Sequence, residues 1–288
     1  MRMAYLVMAH DNRPELEALL RALLPPGAPD IAIVHVDAGS ALWRELRSTG
    51  LSEDPRVQLL PDPVRVIWGH WSQVEAARRL IEAALATGCD YAHTLSGADW
   101  LVVPREQLVA EIAAAPQDTC FAEAQPGLQE ERMQDYRFDA RWLRLDPARD
   151  DIAYAATWEL RRAARWAGHL RRRLGHERSR PLGPWHKGWC WWSLPEAALR
   201  STAQDLAMLL GSGRLAGTVC PDEHSVATSL AHRHPGKLQG YRRYIDFPAG
   251  SSSPRILTAA DLPAIRASRA WFIRKVDARI DPFFLDLP

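Results

Sequence analysis

Ile31-Ala32-Ile33-Val34-His35-Val36-Asp37 decides the fold. The run is apolar without alternation, so a strand built from it needs cover on both faces. Sheets covered on both faces belong to α/β folds. Working outward, Ala4-Tyr5-Leu6-Val7-Met8-Ala9 is a second run of the same kind. Between the two, Arg13-Pro14-Glu15 opens a helix with Leu16, Leu19, Leu20, Leu23 and Leu24 on one face, and Pro25-Pro26-Gly27 ends it. Val64-Arg65-Val66-Ile67-Trp68 reads as a third strand and Tyr91-Ala92-His93-Thr94-Leu95 as a fourth. Ser72 reads as an N-cap with Glu75 at the capping-box position, opening a helix that runs to about Ala86. Pro104-Arg105-Glu106 begins another helix. This alternation over the first 115 residues predicts a doubly wound sheet, in which ligands sit beyond the carboxyl ends of the strands. His10, Asp11, Asp37, Trp68, His70, Ser96 and Asp99 occupy those ends and would line one crevice. Each is equally at home as a loop or capping residue.

The chain has 288 residues, 47% of them hydrophobic, enough for a real core. Its net charge of +1 gives no global field toward nucleic acid. Met1–Ala9 is too short for a signal peptide and leads into the polar His10-Asp11-Asn12-Arg13. No run of 18 apolar residues exists to span a bilayer. The reading is a cytoplasmic chain. Its cysteines, Cys89, Cys120, Cys190 and Cys220, are widely spaced and expected as buried reduced thiols. Among twelve tryptophans, Trp185, Trp189, Trp191 and Trp192 cluster, which suits a core or a sugar-stacking platform. Residues 125–180 change character. Arg161, Arg162, Arg165, Arg171, Arg172, Arg173, Arg178 and Arg180 make a basic helical stretch. It reads as a solvated face, or as a contact with an anionic acceptor or the surface of an anionic membrane.

Pro221-Asp222-Glu223-His224 sets two carboxylates and an imidazole ahead of a helical run, Ser225 to Leu230. Acidic residues suit a helix start because they face the positive end of its dipole. They also suit catalysis, with Glu223, Asp222 or His224 as the base. A hydrolase built on these three would need a nucleophile motif such as G-x-S-x-G, which the chain lacks. No D-x-D stands at the end of a strand; Asp150-Asp151 adjoins the basic stretch, and Asp281 and Asp286 lie in the tail.

Six stretches resemble, in order, those of the core-2/I-branching β-1,6-N-acetylglucosaminyltransferases and the related peptide O-xylosyltransferases. His35-Val36-Asp37 with Ser40 resembles HVD-x-x-S, and Trp71 to Ala76 resembles W-S-x-V-x-A. Ser96-Gly97-Ala98-Asp99-Trp100 resembles S/C-G-x-D-[FY], and Gly188–Leu194 is similar to G-S-x-[WY]-[WF] with Trp189 in place of serine. Pro221-Asp222-Glu223 matches P-D-E, and Phe272 to Asp277 is similar to F-A-[RN]-K-F-D.

The resemblance implies a GT-A-type, Rossmann-like fold with a doubly wound mixed sheet. It would form one glycosyltransferase domain over 1–288, with a nucleotide-binding half at 1–115 and an acceptor and catalytic half at 116–288. It implies inverting, metal-independent transfer from a UDP-sugar to a hydroxyl of a glycan or lipid-linked glycan, with no cofactor. Glu223 would be the base and Asp222 the helix cap. Lys275 would contact the diphosphate with Arg255, Asp37 would hold the uridine above Met8, and Trp68 would lie beside the uracil. Asp99 would line the same crevice. UDP-N-acetylglucosamine is the expected donor. UDP-xylose, or a non-catalytic module that binds glycans or nucleotide sugars, is the alternative. The family's eukaryotic members carry a membrane anchor, a stem and disulfides that this sequence does not show.

Overall fold

The computed structural model describes residues 1–137, 145, 151–251 and 253–287. Asp150 and the side chain of Asp151 lie outside the described residues. The strands are β1 (Met3–Ala9), β2 (Ile31–Val36), β3 (Val57–Leu59), β4 (Tyr91–Ser96), β5 (Asp99–Leu101) and β6 (Cys120–Phe121). They continue as β7 (Gln125–Pro126), β8 (His186–Lys187), β9 (Ser193–Pro195), β10 (Leu238–Gln239), β11 (Arg243–Ile245) and β12 (Phe272–Arg274). The first helices are α1 (Arg13–Leu23), α2 (Ala41–Thr49), α3 (Trp71–Ala86), α4 (Arg105–Ala114) and α5 (Glu131–Gln134). After them come α6 (Asp151–Ala156), α7 (Trp158–Arg173), α8 (Glu196–Gly211), α9 (Asp222–Arg233) and α10 (Leu262–Ser268).

The main sheet runs β10-β6-β9-β4-β1-β2-β3. β3, β2, β1 and β4 are parallel, and β9 enters antiparallel between β4 and β6. The sheet is therefore mixed, as expected. Alternate residues of β1 feed two cores. Tyr5 and Val7 join Leu16, Leu19 and Leu23 of α1 on one face. Ala4 and Leu6 join Leu80, Ile81 and Ala84 of α3 and Leu206 of α8 on the other. β1 is buried except at Met8, and β2 is buried throughout. A second sheet, β11-β12-β5, grows from the end of β4, because β5 follows after only Gly97 and Ala98. β12 lies antiparallel to β5 and sets Arg274 opposite Asp99.

Three local expectations are corrected. Residues 64–68 form no strand; the third strand is β3. β3 already occupies the edge of β2, so the later segment crosses the sheet's carboxyl end as a strap. Side chains take its amides: His35 Nε2 accepts from Val64 N (2.9 Å), Asp37 Oδ1 from Val66 N (2.9 Å) and Ser72 Oγ from Ile67 N (2.9 Å). With Ser72 so engaged, His70 caps α3 through Nδ1 to Ser72 N, and Glu75 pairs with Arg78 and Arg79 instead of closing a capping box. Asp222 does not cap α9 either: Pro221 is at the cap with no side-chain bond, and Asp222 Oδ1 is sequestered without a partner.

The arginine stretch is helical, as expected, as far as Arg173. Arg161 is buried, with its guanidinium over the Tyr154 ring, and Arg172 faces Asp135. Gly168 rides on the carbonyl of Tyr136; a Cβ there would stand 2.2 Å from that oxygen, so only glycine fits.

Candidate active site

The carboxyl ends of β1, β2 and β4 make one rim. The register places Met8 between His35 of β2 and Ser96 of β4. Asp37 N donates to Ala9 O (2.9 Å), and Asp37 Oδ1 accepts from both Gly39 N and Val66 N (2.9 Å each). His35 is buried, and burial pushes its imidazole down to about 4. It is therefore neutral and keeps the lone pair that takes the Val64 amide. Trp68 ends the strap at 41% exposure. Met8, Asp37 and Trp68 thus lie along one rim.

Asp99 lies deeper, at 2% exposure. It accepts from Ser96 N (2.8 Å) and Ser96 Oγ (2.9 Å) and pairs with Arg274 Nη1 (2.7 Å). Its role is to hold Arg274, not to meet solvent. The Arg274 guanidinium lies 4.6 Å from the Trp191 ring centroid and also bonds Ser96 Oγ. Arg243 is buried behind this cluster. It donates to Trp192 O and Ser193 Oγ (3.1 Å each), and burial lowers it to about 9. Lys275 follows Arg274, and its ammonium forms no ion pair among the described residues. Asp99 is the one carboxylate paired between Arg274 and Arg243, which leaves that pair positive; Lys275, next in the chain, lies within electrostatic reach of Asp277, which also pairs with Arg279. Arg255 stands apart. Asp246 (2.6 Å) and Asp261 (2.5 and 2.9 Å) hold its guanidinium and raise it above the ordinary arginine range. Two carboxylates neutralise it, so Arg255, expected as the second phosphate ligand, braces the 246–261 loop.

Glu223 opens α9 with its side chain 22% exposed. Arg132 Nη1 (2.8 Å) and Lys187 Nζ (3.4 Å) both bind its Oε2. Its Oε1 accepts no hydrogen bond among the described residues. Asp222 differs sharply from its neighbour. Although the residue is partly exposed, its Oδ1 is out of solvent, and burial, then the nearby Glu223 charge, push the carboxyl up to about 7. Two adjacent carboxyl groups in unlike environments can take unlike roles. His224 is fully buried and turned to the carbonyls of Cys220 (3.3 Å) and Leu128 (3.4 Å), away from the rim.

One strip joins the two ends of the site. Lys187 binds Glu223, the Cys190 thiol lies near the Asp222 carboxyl, and Trp191 carries Arg274. Gly188 makes this possible. Its amide donates to Glu223 O (2.7 Å), and a Cβ would stand 2.1 Å from Glu123 O and 2.9 Å from Ala227 Cβ. Trp189 stacks on Phe247 (5.2 Å) and Tyr241 (6.2 Å) with Lys187 over its ring, forming an aromatic wall beside Glu223. Sequence reasoning missed Arg132, Lys187 and Arg274 as site residues. The basic neighbours of Gly188 and Lys275 were the available signals; nothing marked Arg132. Among the described residues, no group of three His, Cys, Asp or Glu side chains has metal-holding geometry.

A family model described as Core-2/I-Branching enzyme matches residues 3–264. A comparison with curated proteins returns no match. Among solved structures, one of a 4-diphosphocytidyl-2C-methyl-D-erythritol synthase aligns at 17% identity and a TM-score of 0.31. That alignment covers 44% of this chain and 63% of the other, under two thirds of its length.

Proposed function

The chain belongs to the core-2/I-branching enzyme family, a family of glycosyltransferases, and from that premise we propose that it is an inverting, metal-independent transferase. It moves N-acetylglucosamine from UDP-N-acetylglucosamine to a hydroxyl of a glycan acceptor, with Glu223 as general base. The observation that carries this reading is the single strip, Lys187 to Trp191, that ties a partly exposed carboxylate to a cationic cluster.

In this mechanism the uridine lies on the Met8–Asp37–Trp68 rim and the diphosphate on Arg274 and Lys275. The acceptor hydroxyl attacks C1 from the opposite face, its proton passes to Glu223 Oε1, and the C1–O bond to the β-phosphate breaks, its electron pair leaving with UDP. Arg132 and Lys187 fix the carboxylate through Oε2, so the other oxygen has a set direction. Asp222, largely protonated below neutrality, spares Glu223 a second negative charge. Arg274, held by Asp99 and Trp191 before substrate arrives, acts as a preorganised stabiliser of the departing diphosphate. The Trp189–Phe247–Tyr241 wall would carry the acceptor sugar.

The test is Glu223→Gln, assayed for UDP release from UDP-N-acetylglucosamine with mixed glycan acceptors. Transfer should fall by about 10²–10⁴-fold, the contribution typical of a general base, while UDP affinity changes less than threefold. Full activity in this variant would remove Glu223 from the role. Loss of activity in EDTA that Mn²⁺ restores would remove the metal-independent claim.

A further inference from the structure

α7 has two faces that conflict with a purely structural role. At 3.6 residues per turn, Arg161, Gly168 and Arg172 fall on one side and pack on Tyr154, Tyr136 and Asp135. The opposite side has Glu159 at its start, paired to Arg162 (2.9 Å). Its apolar residues are Leu160, Trp166, Leu170 and, one residue past the helix, Leu174. These are 61, 66, 39 and 68% exposed. Arg162 and Arg173 border this stripe on one edge and Arg171 on the other, all exposed. Beyond Arg171 lies a cavity of about 400 Å³ lined by His176, Arg178 and Arg214, with Glu177 its one carboxylate.

An exposed apolar stripe with arginines along both edges is the pattern of a helix that lies in a bilayer interface. A soluble polyanion would use the arginines and leave the leucines and tryptophan in water. No described helix is long and apolar enough to cross a membrane, so this contact would be peripheral. We propose that α7 docks along an anionic lipid bilayer. The Leu160–Leu174 stripe enters the boundary between headgroups and acyl chains, Arg171 and Arg173 meet lipid phosphates, and the adjoining arginine-lined cavity receives one phosphate headgroup. The proposal does not rest on the transferase reading.

Co-sedimentation of the full chain with phosphatidylcholine vesicles, with and without phosphatidylglycerol, tests it. Binding should be at least tenfold stronger to the anionic vesicles and should weaken with salt, since each arginine near such a surface contributes about fivefold. Trp166→Glu with Leu170→Glu should cut binding at least tenfold with no change in Tm, because both side chains are exposed. Arg171→Glu with Arg173→Glu should abolish the preference for anionic lipid. Equal binding to both vesicle types overturns the proposal. So does salt-sensitive binding indifferent to the Trp166/Leu170 variant, which would assign the arginines to a soluble polyanion. A dimer that the same variant dissociates, without vesicle binding, would assign the stripe to a second copy and also overturn it.

Discussion

Asp222→Asn isolates the energetics of the carboxyl pair. In the folded chain the Asp222 carboxyl is pushed from 3.8 up to about 7, by burial first and by the Glu223 charge second. Between those values the folded state keeps a proton that the unfolded chain has released. Stability therefore falls as pH rises through this window and is flat above it. Three decades of pH at about 1.4 kcal/mol each give about 4 kcal/mol in all, more than half of it between pH 5 and pH 8. The raw pH profile will not display this cleanly. Burial lowers His35 to about 4 and drives His93 and His224 down as well. A histidine held neutral in the fold costs stability as pH falls below its unfolded value, so these three run the opposite way. The informative quantity is parent minus variant. The amide introduced by Asp222→Asn has no charge to titrate, and the histidines cancel in the difference. Urea unfolding at pH 5 and pH 8 should show the parent losing about 3 kcal/mol relative to Asp222→Asn, or roughly 5 °C in Tm for a chain of this size. A difference that is flat or rises with pH would refute the burial of this carboxyl. Glu223→Gln in the same assay should shrink the effect, because it removes the like charge.

Lys275→Ala should weaken UDP binding about tenfold by calorimetry, the worth of one charge-assisted bond, with Tm unchanged. Arg274→Lys should weaken UDP at least as much and also lower Tm, since lysine cannot keep both the Asp99 pair and the stacking on Trp191. Gly188→Ala drives a methyl to 2.1 Å from Glu123 O; thermal melting should show a loss of about 1–3 kcal/mol, accompanied by reduced transfer. His35→Leu leaves the Val64 amide without its acceptor; unfolding should register about 1–3 kcal/mol, and UDP affinity should fall as the strap over Asp37 loosens.

The first half of the fold was legible because its strands are continuous apolar runs and its helices carry leucines at helical spacing. β1, β2 and β4 fall where the pattern puts them, within a residue or two at the ends. The failure at Val64–Trp68 is instructive because its composition is as strand-like as that of β2. What composition cannot express is whether a sheet edge is free. β3 had taken it, and His35, Asp37 and Ser72 supply the amides with side-chain acceptors. Ser72 then could not cap its own helix. A single side-chain choice thus altered two readings.

The site divides along the same line. Glu223 and Asp37 lie at element boundaries, where local sequence marks them; Met8, inside β1, is marked only by the family resemblance. Arg132, Lys187 and Arg274 take their meaning from partners 91, 36 and 175 positions away, counted from the residue numbers of their ion pairs. No periodicity reports such a pair. Arg255 shows the converse error. A basic residue near the right place in the chain looks like a phosphate ligand until its neighbours are known, and here two aspartates already hold it. Charge in a sequence is therefore weak testimony about an anion site. What matters is how much positive charge remains once internal partners are counted. By that measure Arg274 and the buried Arg243, two cations sharing Asp99, keep a surplus, whereas Arg255, held by two aspartates, has none. Lys275→Ala and an Arg255→Ala control, compared for UDP affinity, put that distinction to measurement: the first should lose binding and the second should lose only stability.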